Sequence, residues 1–323
     1  MVTLQKIADL ANVSKTAASY AFSGNPAKRE KLSAETRERI LSIAGQFGYH
    51  PSVSGRGLAL SRSYSLGLLL PKKNVQSFSP HFMGMFHGVA DAISKSDYNL
   101  PLFFGWNDKL ESNLMQRRLD GLLVVARLLA SPVFEKLNQL DIPVLCLNRR
   151  SCGEHCMSVM TDMNAWVRNW LKTFANRGYR KAVLYSRDPV NLAMDEGLAS
   201  SFPALCAKYG VSGESKPLDM FDGKAPDDVA CLFRGSGPAL MRWFAENPNA
   251  CERSAVFCSP ETCIEAGYPL ECCSYHNSTR LGEVGALTLI KAVEKCETSR
   301  NLLLPCQEAS KYSPRPNDIM EDF

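Results

Sequence analysis

From residue 65 onward, short apolar runs alternate with stretches of helical periodicity, and few folds accept that order. Ser65-Leu-Gly-Leu-Leu-Leu-Pro71 reads as a strand ended by proline, and residues 98–104, 117–125 and 142–147 read as strands likewise. Helices are expected over 82–94 and 132–140. A second alternation follows, with helix 166–175, strand 181–185, helix 198–209, strand 253–258 and helix 281–293. Strands that are apolar throughout must be covered on both faces, which calls for parallel sheets with helices above and below. Two such halves, divided near Asp162, would leave a cleft between them, a common place for a small ligand.

The first 62 residues have another character. They hold nine Lys/Arg against four Asp/Glu, a net of +5, whereas the remainder holds 28 against 29. Basicity confined to one small segment is what a domain that meets a polyanion needs. Thr3 is placed to cap a helix carrying Ile7, Ala8, Leu10 and Ala11, which Asn12-Val13 ends. Ser14 caps a second helix from Lys15 to about Phe22, stopped by Ser23-Gly24-Asn25-Pro26. Ser33 opens a third, with Ile40, Ile43, Ala44 and Phe47 on one side and Gly48 at its close. Two short helices across a tight turn, completed by a third, form a helix-turn-helix. The small residues Ala8, Ala11, Ala17 and Ala18 permit close helix approach. That leaves Lys15, Thr16, Ser19 and Tyr20 as a hydrogen-bonding set on the second helix. Lys15 and Thr16 are placed for base edges, and Ser14, Ser19 and Tyr20 for bases or phosphates. A trihelical protein-interaction domain with a solvated polar face is the alternative.

Residues 49–60, YHPSVSGRGLAL, follow. Pro51-Ser52 can start a short helix, but Gly55 and Gly57 each weaken it by about 1 kcal/mol relative to Ala. Such a segment is marginal alone and would fold only against DNA and a partner copy. Leu58 would then be an apolar wedge in a minor groove, with Arg56 near phosphate. A plain linker is the other reading.

The segment VTLQKIADLANVSKTAASYAFSG, followed by LSAETRERILSIAGQFGYHPSVSGRGLALSRSYSLGLLLP, resembles the LacI/GalR family of bacterial transcription regulators. The matching marks are the initial Thr-Leu, the Ala-x-Val-Ser turn, the Ser-x-x-Thr-Arg-Glu-Arg third helix and the Gly-Tyr-x-Pro that leads to the hinge. The resemblance implies an all-α helix-turn-helix headpiece (1–50), a hinge (51–63) and an α/β periplasmic-binding-protein-like body (64–323). The body would have two parallel-sheet subdomains, about 64–161 and 162–310. It also implies a homodimeric repressor on a near-palindromic DNA operator. Thr3, Ser14, Lys15, Thr16, Ser19, Tyr20, Ser23, Lys31, Arg56 and Leu58 would be its DNA-facing residues. Ala18 stands for the usual valine, and the connection from Asn25 to Lys31 is longer and more basic than common.

In the body, RLDGLLVV, IPVLCLNRR and NRGYRKAVLYS are similar to the family's Val-Asp-Gly, Ile-Pro-Val-Val…Asp-Arg and Gly-His-Arg-x-Ile strands. The family's cleft binds a small effector, often a sugar or nucleobase. By that comparison Phe78, Phe82, Asn148, Glu261, Tyr275 and His276 would meet an effector here. The pattern departs at Met194-Asp-Glu-Gly197, which stands for Arg-x-x-Gly, and at Cys273-Ser-Tyr-His-Asn277, which stands for Gly-Phe-Asp-Asp. Either the effector is unusual or the cleft no longer senses one.

Other classes find less support. There is no Gly-x-Gly-x-x-Gly, no Gly-x-x-x-x-Gly-Lys-Ser/Thr and no Gly-x-Ser-x-Gly, so neither a cofactor nor an enzyme is expected. A solute-binding protein without DNA function would explain the body but not the basic start. No apolar run reaches the ~18 residues of a membrane span, and no basic start leads into an apolar signal segment, so a cytoplasmic location is expected. Twelve cysteines lack paired C-x2-C spacing. Cys152-Gly-Glu-His155-Cys156 is a weak zinc signal, and free thiols acting as small hydrophobes are the expectation, with no metal.

Overall fold

The structure, a computed structural model, describes residues 2–22, 29–49, 62–71, 80–125, 131–149, 156–186, 197–296 and 300–311. It divides into two compact units, Met1–Tyr64 and Ser65–Phe323. Among the described residues no helix is long and apolar enough to cross a membrane.

The first unit holds α1 (Leu4–Leu10), α2 (Lys15–Ala21) and α3 (Ala34–Gln46). Each begins at a hydroxyl that accepts a backbone N–H: Thr3 from Lys6 at 3.3 Å, Ser14 from Ala17 at 3.1 Å and Ser33 from Thr36 at 3.1 Å. Such caps satisfy amides that a helix start would otherwise leave bare. Asn12, at φ 52°, makes the turn between α1 and α2, and Gly48, at φ 58°, follows α3. Ile7, Ala8, Ala11, Ala18, Ala21, Ile40 and Ala44 form the core. Two expected core members face outward instead: Leu10 is 42% exposed and Phe47 47% exposed. The alanines explain this, because they bring the helices together over so small an area that outlying apolar residues find no room.

The second unit carries two six-stranded sheets. The first contains β1 (Leu66–Leu70), β2 (Leu102–Phe104), β3 (Gly121–Val125), β4 (Val144–Leu147), β5 (Cys156–Thr161) and β11 (Asn301–Leu304), in the order β11-β5-β4-β3-β1-β2. All its pairs are parallel. The second contains β6 (Lys181–Ser186), β7 (Ser212–Pro217), β8 (Val229–Arg234), β9 (Ser254–Phe257), β10 (Cys273–Tyr275) and β12 (Gln307–Glu308), in the order β12-β10-β9-β8-β6-β7. Here only β12, against β10, is antiparallel. The helices are α4 (Pro80–Ser94), α5 (Asp108–Met115), α6 (Ser131–Asn138), α7 (Met163–Asn176), α8 (Leu198–Ala207), α9 (Pro238–Glu246), α10 (Pro260–Glu265) and α11 (Ser278–Val293).

β1, β3, β4 and β5 are buried along their whole length, as parallel strands between helical layers must be. The chain passes between sheets three times: before α7, between β10 and α11, and between β11 and β12. α11 and β11 therefore belong with the first sheet, although they lie beyond the division near Asp162 that the sequence suggests. A second subdomain running unbroken from about 162 to 310 is thus corrected, because the edge of the first sheet is completed by returning chain. α11 crosses α4 very closely: a Cβ on Gly88 would lie 1.9 Å from the Thr279 carbonyl oxygen. In the second sheet Arg253 is buried, its guanidinium donating to the carbonyls of Ala225 and Pro226, pairing with Asp227 and lying over Trp243.

Candidate functional site

Two groups of polar residues stand out, one in each unit. On α2, burial of Ala18 and Ala21 fixes which side meets the core, and Ser14, Lys15, Thr16 and Ser19 are exposed on the other. Tyr20 is half-buried, with the Lys31 ammonium 5.7 Å from its ring centroid. Arg37 of α3 donates to the Ala21 carbonyl at 3.4 Å, tying the end of α2 to α3. Thr3 is used as the α1 cap. A short helix thus presents Lys, Thr and Ser side chains to solvent from a support that three hydroxyl caps hold in place. Ser23, Arg56 and Leu58 lie outside the described residues.

The second group lies at the carboxyl ends of strands from both sheets of the body. His81, at the start of α4, joins through Nδ1 to Ser278 Oγ at 2.5 Å and through Nε2 to Asn148 Nδ2 at 2.9 Å. His276, just after β10, joins through Nδ1 to Thr161 Oγ1 at 2.7 Å. The two imidazole rings are 4.6 Å apart, and the Phe257 ring meets His276 edge-on at 4.6 Å. Asn148 takes the left-handed backbone (φ 51°) directly after β4, which an asparagine tolerates better than most residues. Thr161 is buried at the end of β5, and Ser278 is the first residue of α11. The close crossing of α4 and α11 is what brings His81 to Ser278.

Of the residues expected in the cleft, Asn148 and His276 enter this network. Tyr275 donates instead to Gln307 Oε1 at 2.7 Å, and burial, followed by the charge of Glu261, pushes its hydroxyl pKa up. Glu261 sits in the first turn of α10, and Phe82 is half-buried one residue after His81. Phe78 lies outside the described residues. His81, Thr161 and Ser278 were not anticipated. No local period marks them, because each lies at a strand end or helix start that only the tertiary crossing assembles. Among the described residues no group of His, Cys, Asp or Glu is arranged to hold a metal ion, and the described cysteines are free thiols. Cys152 and His155 lie outside the described residues.

Residues 3–52, spanning the three helices, match the profile described as "Bacterial regulatory proteins, lacI family". The first unit thus matches the lacI family's model, and the match ends there. The Sucrose operon repressor of Klebsiella pneumoniae is 33% identical over 166 residues, covering 50% of this chain and 48% of that protein. The Probable HTH-type transcriptional repressor ExuR of Bacillus subtilis is 32% identical over 182 residues, covering 56% of this chain and 53% of that one. These alignments span about half the length of the curated relatives. The fold is shared with solved structures: a Lac Repressor structure bound to ONPG covers 95% of this chain and 97% of its own, with TM-score 0.61 and 15% identity. A transcriptional regulator CelR-cellobiose complex covers 95% and 98%, with TM-score 0.57 and 18% identity. At such identities the likeness shows the fold alone.

Proposed function

We propose that this chain is a LacI-family, sequence-specific DNA-binding transcription regulator, acting as a homodimeric repressor on a near-palindromic operator. The observation that carries the reading is the exposed row Ser14, Lys15, Thr16 and Ser19 on a capped helix within the basic segment. A second helix of this kind is sized for the major groove, where Lys15 and Thr16 would meet base edges and Ser14 and Ser19 phosphates. Repression follows sterically, because a bound dimer occludes promoter DNA.

The test uses the full chain on fragmented genomic DNA of its source at near-physiological salt. One enriched near-palindromic motif is the expected result; binding without a preferred motif, or no binding, removes the operator claim. Affinity for the motif should fall as salt rises, with a logarithmic slope near −0.9 per phosphate contacted. Lys15→Ala should weaken binding and relax the preference at one base pair, worth about 1–3 kcal/mol if Lys15 reads that base.

The body's cleft would control this binding through a small sugar-like effector. Support comes from relatives named for sucrose and fructose operons, and from the hydrogen-bonding side chains of His81, Asn148 and His276. One observation favours a second reading, a cleft that no longer senses: His81, Asn148 and Ser278 already engage one another, and His276 engages Thr161. Thermal shift against a panel of mono- and disaccharides separates the two. A stabilising sugar that also changes operator affinity supports sensing, because coupling between two sites is reciprocal. No shift across the panel favours the silent cleft.

A further inference from the structure

Beside the cleft, the second sheet gathers four cysteines that neither the DNA-facing helix nor the cleft network uses. Cys258 follows β9, Cys263 lies on α10, Cys272 precedes β10 and Cys273 begins it. The turn between the first two is fixed at several points. Ser259 caps α10 by accepting from Thr262 N at 3.2 Å, Pro260 starts the helix, and Cys263 N donates to Ser259 O at 3.0 Å. Cys258 N in turn donates to Ser274 O at 3.1 Å. This geometry holds the Cys258 and Cys263 sulfurs 2.9 Å apart. Cys263 is fully buried, whereas Cys258 is half-buried.

We infer that Cys258 and Cys263 are a peroxide-responsive thiol pair that closes to a reversible disulfide at the edge of the cleft. Cys258, the more accessible of the two, attacks the peroxide. Its sulfur bonds one oxygen, the O–O bond breaks, and the departing hydroxide takes up the Cys258 proton as water, leaving a sulfenic acid. The Cys263 sulfur then attacks the Cys258 sulfur. An S–S bond of about 2.05 Å forms, the S–O bond breaks, and the second hydroxide leaves as water with the proton Cys263 gave up. Two thiols and one peroxide give one disulfide and two waters, with two electrons passing to the peroxide. Cys263 is suited to its step because hydrogen bonds from Cys258 and Cys273 hold its thiol pKa below the ordinary range, while the contacts with Cys263 and Cys272 push Cys273 up. The bond would lock the turn that carries Ser259 and Glu261, one residue from the Phe257 ring that meets His276.

The test is peroxide titration of the full chain, quenched by alkylation and mapped by mass spectrometry. Trypsin alone leaves both cysteines in residues 254–280, but cleavage after Glu261 and Glu265 separates them. The expected product links 254–261 to 262–265, is reversed by dithiothreitol, and forms at least roughly tenfold faster than exposed Cys296 is oxidised. Cys263→Ser should leave a dimedone-reactive sulfenic acid on Cys258, and Cys258→Ser should leave Cys263 reduced. Faster loss of Cys296, a link from Cys263 to Cys273, or separately alkylated Cys258 and Cys263 after full peroxide consumption overturns the inference. The wild-type map decides the matter even where a serine variant folds poorly, and it is independent of any cleft ligand.

Discussion

Gly88→Ala tests the contact that brings His81 to Ser278. A Cβ at Gly88 would lie 1.9 Å from Thr279 O and 2.8 Å from Glu283 N, and one at Gly282 would lie 2.0 Å from Met85 O. The atoms met are backbone on both helices, so no rotamer change relieves the overlap. Close carbon–oxygen contacts settle near about 3.3 Å, so α4 and α11 must separate by roughly 1.4 Å. A gap of that size forfeits a large part of the dispersion attraction along the crossing. Overpacking of this kind costs about 3 kcal/mol, against about 1 kcal/mol gained by replacing a helical glycine with alanine. The net loss of about 2 kcal/mol should lower the body's thermal midpoint by roughly 4–8 °C. Gly45→Ala supplies the contrast, since a Cβ there meets nothing within 4 Å. It should stabilise the first unit by up to about 1 kcal/mol. Circular-dichroism melts of the three proteins decide the point. An unchanged or raised body transition in Gly88→Ala would show that the crossing is not as tight as described.

Arg253→Met should cost about 2–3 kcal/mol in urea unfolding, because the buried guanidinium satisfies two carbonyls and spans Trp243. A loss below about 1 kcal/mol would mean that water replaces those bonds without penalty. Ser33→Ala removes the α3 cap and should cost the first unit about 1 kcal/mol, while Ser33→Thr costs less. Burial pushes the Tyr185 hydroxyl up from 10.0 to about 12. The unfolded chain therefore loses this proton first, so the contribution is complete below pH 10 and declines as pH rises toward about 12. Tyr185→Phe should flatten that part of the alkaline decline in urea midpoints, and an unchanged slope would contradict the assignment.

The sequence was most legible where a local rule acts alone. Thr3, Ser14 and Ser33 are caps because an oxygen three residues before an unpaired amide is sufficient, and the buried strands announce themselves by unbroken apolar runs. β7, Ser-Gly-Glu-Ser-Lys-Pro, carries no such run because it is an edge strand, with its Lys216–Glu214 pair at 2.6 Å turned to solvent. β8 and β5 are buried strands whose Ala, Ser and Cys dilute the apolar signal. The return of α11 and β11 to the first sheet was hidden for another reason: periodicity says that a segment is a helix or a strand, not which sheet it joins. The cleft suffers most from this. Asn148 and His276 could be placed through strand motifs, but His81, Thr161 and Ser278 become neighbours only through the glycine crossing.

The hydrogen bonds around His81 also imply one tautomer for its ring. Asn148 donates through Nδ2 to His81 Nε2, so Nε2 is an acceptor and the His81 proton lies on Nδ1, where it is given to Ser278 Oγ. Ser278 Oγ donates in turn to the His276 carbonyl at 3.2 Å. The similar family strand has Asp where this chain has Asn148. A carboxylate there cannot donate to Nε2; it can only accept. In Asn148→Asp, therefore, His81 must put a proton on Nε2, and since Ser278 still takes the proton on Nδ1, the ring becomes an imidazolium paired with Asp. Long-range proton–nitrogen correlation spectra of imidazole-labelled protein at neutral pH report this directly. The wild type should show the neutral Nδ1–H tautomer for His81, and Asn148→Asp should show both nitrogens protonated. An Nε2–H tautomer in the wild type would require the Asn148 amide to be turned the other way. The cleft would then offer an incoming ligand the Asn148 donor in place of its acceptor.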